Sequence, residues 1–122
     1  MTTKPEELRE STKVFALRII RLFRSLPSAP DAQVMGKQLL RSGVSVAANY
    51  RAACRARSRV EFAAKIGVVV EEADETLFWL EMLVESGIMR KQRLAPLLGE
   101  ARQLTAIFTA SRETAKSAGM AR

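Results

Sequence analysis

Ser58-Arg-Val-Glu-Phe-Ala-Ala-Lys-Ile-Gly-Val-Val-Val-Glu-Glu-Ala-Asp-Glu-Thr-Leu-Phe-Trp-Leu-Glu-Met-Leu-Val-Glu-Ser-Gly87 carries an uninterrupted helical pattern. Ser58 followed three residues later by Glu61 is a capping-box start, and Ser86-Gly87 places glycine where a helix stops. At 100° per residue Phe62, Ile66, Val69, Ala73, Leu77, Leu80 and Val84 share one face, which is the stripe a buried helix needs. The spacing therefore predicts a helix over 58–86. Val68, Phe78, Trp79 and Met82 fall outside that stripe, so the helix reads as two-faced.

Three more helical segments surround it. Upstream, the pattern predicts a helix over about 31–57, its end falling at about Cys54 or Arg57, with Asp31 as its cap and Met35, Leu39, Ser42, Val46, Asn49 and Ala53 on its inner face. Gly36, Gly43 and Ala47 flank that face and would let a neighbour come close. Before it, Pro5 with Glu6, Glu7 and Glu10 opens a helix over about 5–25. Leu26-Pro27-Ser28-Ala29-Pro30 ends that helix, whose core face is Leu8, Phe15, Ile19, Leu22, Phe23 and Leu26. Downstream, a helix over about 91–116 aligns Leu94, Leu97, Ala101, Leu104, Phe108 and Ala115, with Pro96 predicting a late start or a kink. No segment reads as a strand. Four amphipathic helices on short loops predict an all-α, antiparallel up-down-up-down four-helix bundle, and 122 residues make one domain, 1–122.

Composition narrows the chemistry. The chain has no histidine, which removes imidazole acid–base catalysis, Ser-His and Cys-His pairs and most zinc sites. It has one cysteine, Cys54, so no disulfide forms within the chain and a reducing, cytoplasmic setting is expected. No apolar run reaches the length of a membrane span, and residues 1–10 are polar with mixed charge, so neither a membrane nor a secretory route is expected. Glycine-rich phosphate loops, nucleophile elbows and Cys-x-x-Cys pairs are missing from the sequence, so the expectation is a non-enzymatic protein without a cofactor.

Charge carries the strongest functional signal. The net charge is +7, and residues 1–60 hold 12 basic against 4 acidic groups while residues 61–122 hold 8 against 9. Lys37, Arg41, Arg51 and Arg55 fall in one stripe of the second helix, and Arg57 and Arg59 extend it into the loop. Guanidinium forks in a row suit phosphate oxygens, and with only Tyr50 nearby for base stacking, the expected mode is backbone binding to RNA or DNA without sequence readout. An acidic protein partner, or a stripe that is merely solvated or ion-paired, competes with that reading. Asn49 reads as a buried amide bonded to backbone, and Cys54 as a small buried thiol.

The third helix also carries Glu71, Glu72, Asp74 and Glu75. Carboxylates this dense invite a metal, but no histidine completes a Glu-x-x-His pair and Glu71 and Glu75 point away from the core stripe, so no metal site is predicted. A solvated face, or pairing with arginines of the second helix or of a neighbouring subunit, is expected instead. Two large aromatics on an outer face predict self-association, with Val68, Glu71, Glu75, Phe78, Trp79 and Met82 as the subunit contact; the competing reading is that the fourth helix or the loop near Pro96 covers the patch within one chain and leaves a monomer.

Gln38-Leu-Leu-Arg-Ser-Gly-Val-Ser-Val-Ala-Ala-Asn49, Arg57-Ser-Arg-Val-Glu-Phe62, Ile66-Gly-Val-Val-Val-Glu-Glu-Ala-Asp-Glu-Thr-Leu-Phe-Trp-Leu80 and Glu85-Ser-Gly-Ile88 together resemble the 23S rRNA intervening-sequence proteins. The resemblance implies a four-helix bundle that assembles as a homopentameric ring. A similar fold occurs in the basic accessory protein of diversity-generating retroelements, which engages nucleic acid and a reverse transcriptase. Relatives commonly have an acidic residue and a glycine shortly after the asparagine matching Asn49, whereas this chain has Tyr50-Arg-Ala-Ala-Cys-Arg55. That departure makes the end of the second helix more basic. The expected protein is thus a homo-oligomeric, nucleic-acid-associated accessory scaffold.

Overall fold

The structure, a computed structural model, describes residues 4–120. Four α-helices follow one another: α1 Pro5–Ser25, α2 Pro30–Ala53, α3 Arg59–Glu85 and α4 Lys91–Met120. Each break has a local cause. α1 stops where Leu26, held extended at φ −72° and ψ 147°, precedes Pro27. α2 starts two residues earlier than Asp31 as the cap would place it, because Pro30 takes the first helical position, where a missing N–H costs nothing. Asp31 then sits inside the first turn, its Oδ1 accepting from the Ala32 N–H at 2.9 Å.

α2 ends at the earlier of the two expected positions, with Ala53 its last helical residue and Cys54 its cap. Arg55 N–H and Ala56 N–H bond three residues back, to Ala52 O and Ala53 O at 3.0 Å each, a tightened turn that releases the chain into extended Ser58. Ser58 Oγ accepts from Glu61 N–H at 3.1 Å, as the capping pattern requires. α3 closes at Gly87, whose φ of 81° lies in the left-handed region that favours glycine, with Gly87 N–H on Val84 O and Met89 N–H on Leu83 O. α4 begins at Lys91 and runs through Pro96 without the expected late start, and it extends past residue 116. Pro96 has no N–H to give the Gln92 carbonyl, and both residues are exposed.

Contacts fix the packing order. Ile19 lies against Gly43 and Phe23 and Leu26 lie against Gly36, so α1 and α2 run in opposite directions. A Cβ on Gly43 would sit 2.9 Å from Ile19 Cγ2, and one on Gly36 2.6 Å from Leu26 Cδ1, so both glycines admit an α1 side chain onto the α2 backbone. α3 and α4 are likewise opposed, with Glu81 near Arg102 at 3.7 Å and Gly67 near Arg112. Tyr50 of α2 meets Phe108 of α4 with ring centroids 5.0 Å apart. At the α2–α3 seam the Ser42 and Thr76 hydroxyls are hydrogen-bonded at 3.0 Å, with Glu72 O and Leu39 O as neighbouring acceptors.

The core contains the α1 face Leu8, Phe15, Ile19, Leu22 and Leu26, and the α4 face Leu94, Leu97, Ala101, Leu104 and Phe108. Burying each large side chain of this kind contributes about 1.5–3 kcal/mol. On α3 the fully buried line is Ile66, Val69, Ala73, Thr76, Leu80 and Leu83, while Phe62, Leu77 and Val84 pack at its margin. Among the described residues no helix is long and apolar enough to cross a membrane.

Candidate nucleic-acid interface

The six cations read from sequence do not share one surface. Arg51 and Arg55 line an open groove between α1 and α2. Arg41 is held by α3 instead, with Nη1 donating to Glu72 Oε2 at 2.9 Å and Nη2 donating to Glu75 Oε2. The pairing expected between α2 arginines and α3 carboxylates thus forms at Arg41, within the chain. Lys37 is exposed on α2 outside the groove. Arg57, in the α2–α3 connection, is 3.6 Å from Glu61, and Arg59 lines a separate, mostly apolar recess with Phe62 and Ile107. Tyr50 is a core residue at 4% exposure, which removes it as a base-stacking platform. Asn49 is half-buried, and its Nδ2 donates to Ser45 O and Ser45 Oγ at 2.9 and 2.8 Å.

The α1–α2 groove has a volume of about 740 Å³. α1 supplies Glu6, Arg9, Glu10, Lys13, Ala16 and Leu17, and α2 supplies Val44, Ala47, Ala48 and Arg51, with Cys54 and Arg55 just beyond its end. Both sets follow the three-and-four spacing of one helix face. The result is a small-residue apolar floor with Arg9 and Lys13 on one wall and Arg51 and Arg55 on the other. Among the described residues none of these four cations makes a salt bridge within 4 Å, unlike Arg41 and Arg18, the latter 2.5 Å from Glu100 of α4. Cys54 is half-buried at the groove end and interacts with the Tyr50 phenol. Burial chiefly, and then the Cys54 thiol, push the Tyr50 ionisation up.

Sequence spacing along α2 alone missed Arg9 and Lys13, which lie some forty positions upstream. The available signal was the short 26–29 connection, since it folds the start of α1 beside the end of α2. Exposed Leu17 and Val44, at 45% and 37%, mark the same seam.

On α3, Val68 and Phe78 are exposed at 41% and 48%, and Glu71 and Asp74 are exposed with them. Trp79 and Met82 are half-buried, and Trp79 packs against the core of its own chain. The outward patch is therefore smaller than two full aromatics: Phe78 faces out with its ring edge-to-face on Trp79, centroids 4.9 Å apart. Among the described residues the buried Trp79 Nε1–H finds no acceptor. Glu75 is half-exposed and engaged by Arg41. Among the described residues no group of three His, Cys, Asp or Glu side chains is placed to hold a metal ion.

The family model of the 23S rRNA-intervening sequence protein matches residues 6–110, which include all of α2 and α3 and the groove. The chain belongs to this family. A solved structure of a protein with unknown function from the S23 ribosomal protein family of Bacteroides thetaiotaomicron VPI-5482 is similar at 29% identity, covering 89% of this chain and 97% of that one with a TM-score of 0.82. No curated protein matches the chain. Family membership accounts for the four-helix architecture and leaves the groove as the feature whose chemistry has to be argued from its own residues.

Proposed function

We propose that this family member is a cytoplasmic, non-enzymatic scaffold that binds the phosphate backbone of RNA or DNA along the α1–α2 groove. One observation supports this most directly: Arg9, Lys13, Arg51 and Arg55 converge from two helices with no salt bridge among the described residues, whereas Arg18 and Arg41 are paired. Phosphate contacts position a strand without reading its bases, which fits a groove with no exposed aromatic ring. Mixed-sequence single-stranded oligonucleotides titrated across salt test it. Four neutralised phosphates predict a log–log slope of about −3. Arg51→Glu with Arg55→Glu should abolish most of the binding with helical content unchanged, and wild-type protein that fails to bind at about 50 mM salt would rule the reading out.

The exposed Val68 and Phe78 favour a second property, self-association through α3. A pentameric ring, which the family resemblance implies, is one form it would take. Sedimentation at micromolar concentration tests this, and a 13.5 kDa species would exclude it.

A further inference from the structure

A second basic recess opens on another face of α1, where its last turns meet the start of α4. Arg18, Arg21, Leu22 and Ser25 follow the three-and-four spacing of one helix face, and Arg93, Leu94 and Leu97 line the recess from α4. Leu22, Leu94 and Leu97 are buried and make its floor, while Arg21 and Arg93 are exposed at its rim. Arg18 is half-buried and donates from Nη1 to Glu100 Oε2 at 2.5 Å, which holds the guanidinium in place from a carboxylate that does not line the recess. Among the described residues Arg21 and Arg93 make no salt bridge within 4 Å. The surrounding sequence does not neutralise them either, since residues 11–30 and 86–99 contain no aspartate or glutamate. Ser25 Oγ gives its proton to Leu22 O at 2.8 Å, so the arginines are the donors left to a ligand.

The recess has a volume of about 250 Å³, about a third of the 740 Å³ of the α1–α2 groove, and the two share no side chain. A space this small takes one phosphate group rather than a run of them. Guanidinium forks converging on it suit a compact anion with several oxygens. A phosphomonoester carries about −1.5 to −2 charge at pH 7 and three acceptor oxygens, which matches three arginines better than the single charge of a backbone diester does. We infer that Arg18, Arg21 and Arg93 form a binding site for a phosphomonoester or diphosphate group, separate from the groove. A free diphosphate and the 5′-phosphate end of a strand both offer this chemistry.

Titration calorimetry with inorganic pyrophosphate at low salt tests the site on two variants matched in charge, Arg21→Gln with Arg93→Gln and Arg51→Gln with Arg55→Gln. All four side chains are exposed and outside the salt bridges of the described residues, so circular dichroism should show native helix in both variants. Pyrophosphate should saturate the wild type and the Arg51 and Arg55 variant alike, and should bind the Arg21 and Arg93 variant about tenfold more weakly or worse. No saturable binding to the wild type, equal weakening in both variants, or weakening confined to the Arg51 and Arg55 variant overturns the inference, because the anion is then unbound, held by net charge alone, or held in the groove. An oligonucleotide ending in a 5′-phosphate, compared with the same strand ending in a 5′-hydroxyl, separates the two sources. Tighter binding of the phosphorylated strand that disappears in the Arg21 and Arg93 variant supports the site with a strand end as its ligand, and equal binding of the two strands alongside saturable pyrophosphate supports it with a free ligand. Pyrophosphate binding without any oligonucleotide binding supports this site and overturns the proposed function.

Discussion

At Trp79 a large ring is kept although its one polar atom has no partner. The indole N–H is buried and unbonded, which costs about 1–3 kcal/mol in desolvation, so the residue is retained for the ring surface it packs against the core and under Phe78. Trp79→Phe removes the orphan donor and some packing together, and the two effects oppose. Urea denaturation should place the variant within about 1 kcal/mol of wild type, whereas Trp79→Ala should lose about 3 kcal/mol or more. Tyr50 presents the opposite case, a polar group whose protonated form the fold protects. An unfolded tyrosine releases its proton near pH 10, and burial first, then Cys54, hold the Tyr50 proton to higher pH. The folded state thus binds more protons above about pH 10, and stability must fall there as pH rises, by about 1 kcal/mol per unit until Tyr50 itself ionises. Thermal midpoints of wild type and Tyr50→Phe should run parallel below pH 9 or so and then diverge, the wild type falling faster. Because Tyr50 is the sole tyrosine, phenolate absorbance should appear at higher pH in the folded protein than in the unfolded chain.

At the scale of the helices, two glycines that look alike in sequence should respond with opposite signs. Gly99 is exposed in α4 and a Cβ there would meet nothing within 4 Å, so Gly99→Ala should gain about 0.5–1 kcal/mol from helix propensity alone. Gly43→Ala would place its methyl 2.9 Å from Ile19 Cγ2 and 3.2 Å from Ile19 Cβ. A β-branched side chain close to its stem cannot swing aside, so overpacking of about 1–3 kcal/mol outweighs the propensity gain and the urea midpoint should fall. This contrast also marks what was legible beforehand. The inner faces of α1 and α4, the Ser58 cap and the Gly87 stop follow from local periodicity and local hydrogen bonding, which sequence displays directly. Whether α2 ends at Cys54 or at Arg57 does not, because Cys54 to Arg57 remain helix-compatible residues and the tightened turn before Ser58 is what releases them. Burial of Tyr50 depends on Phe108 arriving from α4, and the groove depends on how Gly36 and Gly43 set α1 on α2. Half of its cations therefore could not be assigned from the α2 stripe.

Across the whole molecule, the basic excess of residues 1–60 divides into cations that the fold neutralises and cations that it leaves bare. Arg41 and Lys13 separate the two kinds, and they distinguish a groove built by two helices from a stripe along one. Arg41 lies on the α2 stripe but donates to Glu72 and Glu75, so a phosphate would first have to displace two carboxylates. Arg41→Gln should leave the salt slope of oligonucleotide binding unchanged and lower stability by up to about 1 kcal/mol, the range for an ion pair with exposed partners. Lys13 is absent from the stripe but lines the groove without a salt bridge within 4 Å. Lys13→Gln should reduce the slope by about 0.7 on single strands, with stability changed by less than about 0.5 kcal/mol. Paired salt titrations and urea curves on the two variants decide between the surfaces: if Arg41→Gln changes the slope and Lys13→Gln does not, the phosphates run along α2 alone. The same comparison bears on why the cations stay bare. Four like charges with two carboxylates near one end repel one another in the isolated fold, a repulsion that a bound anion would relieve.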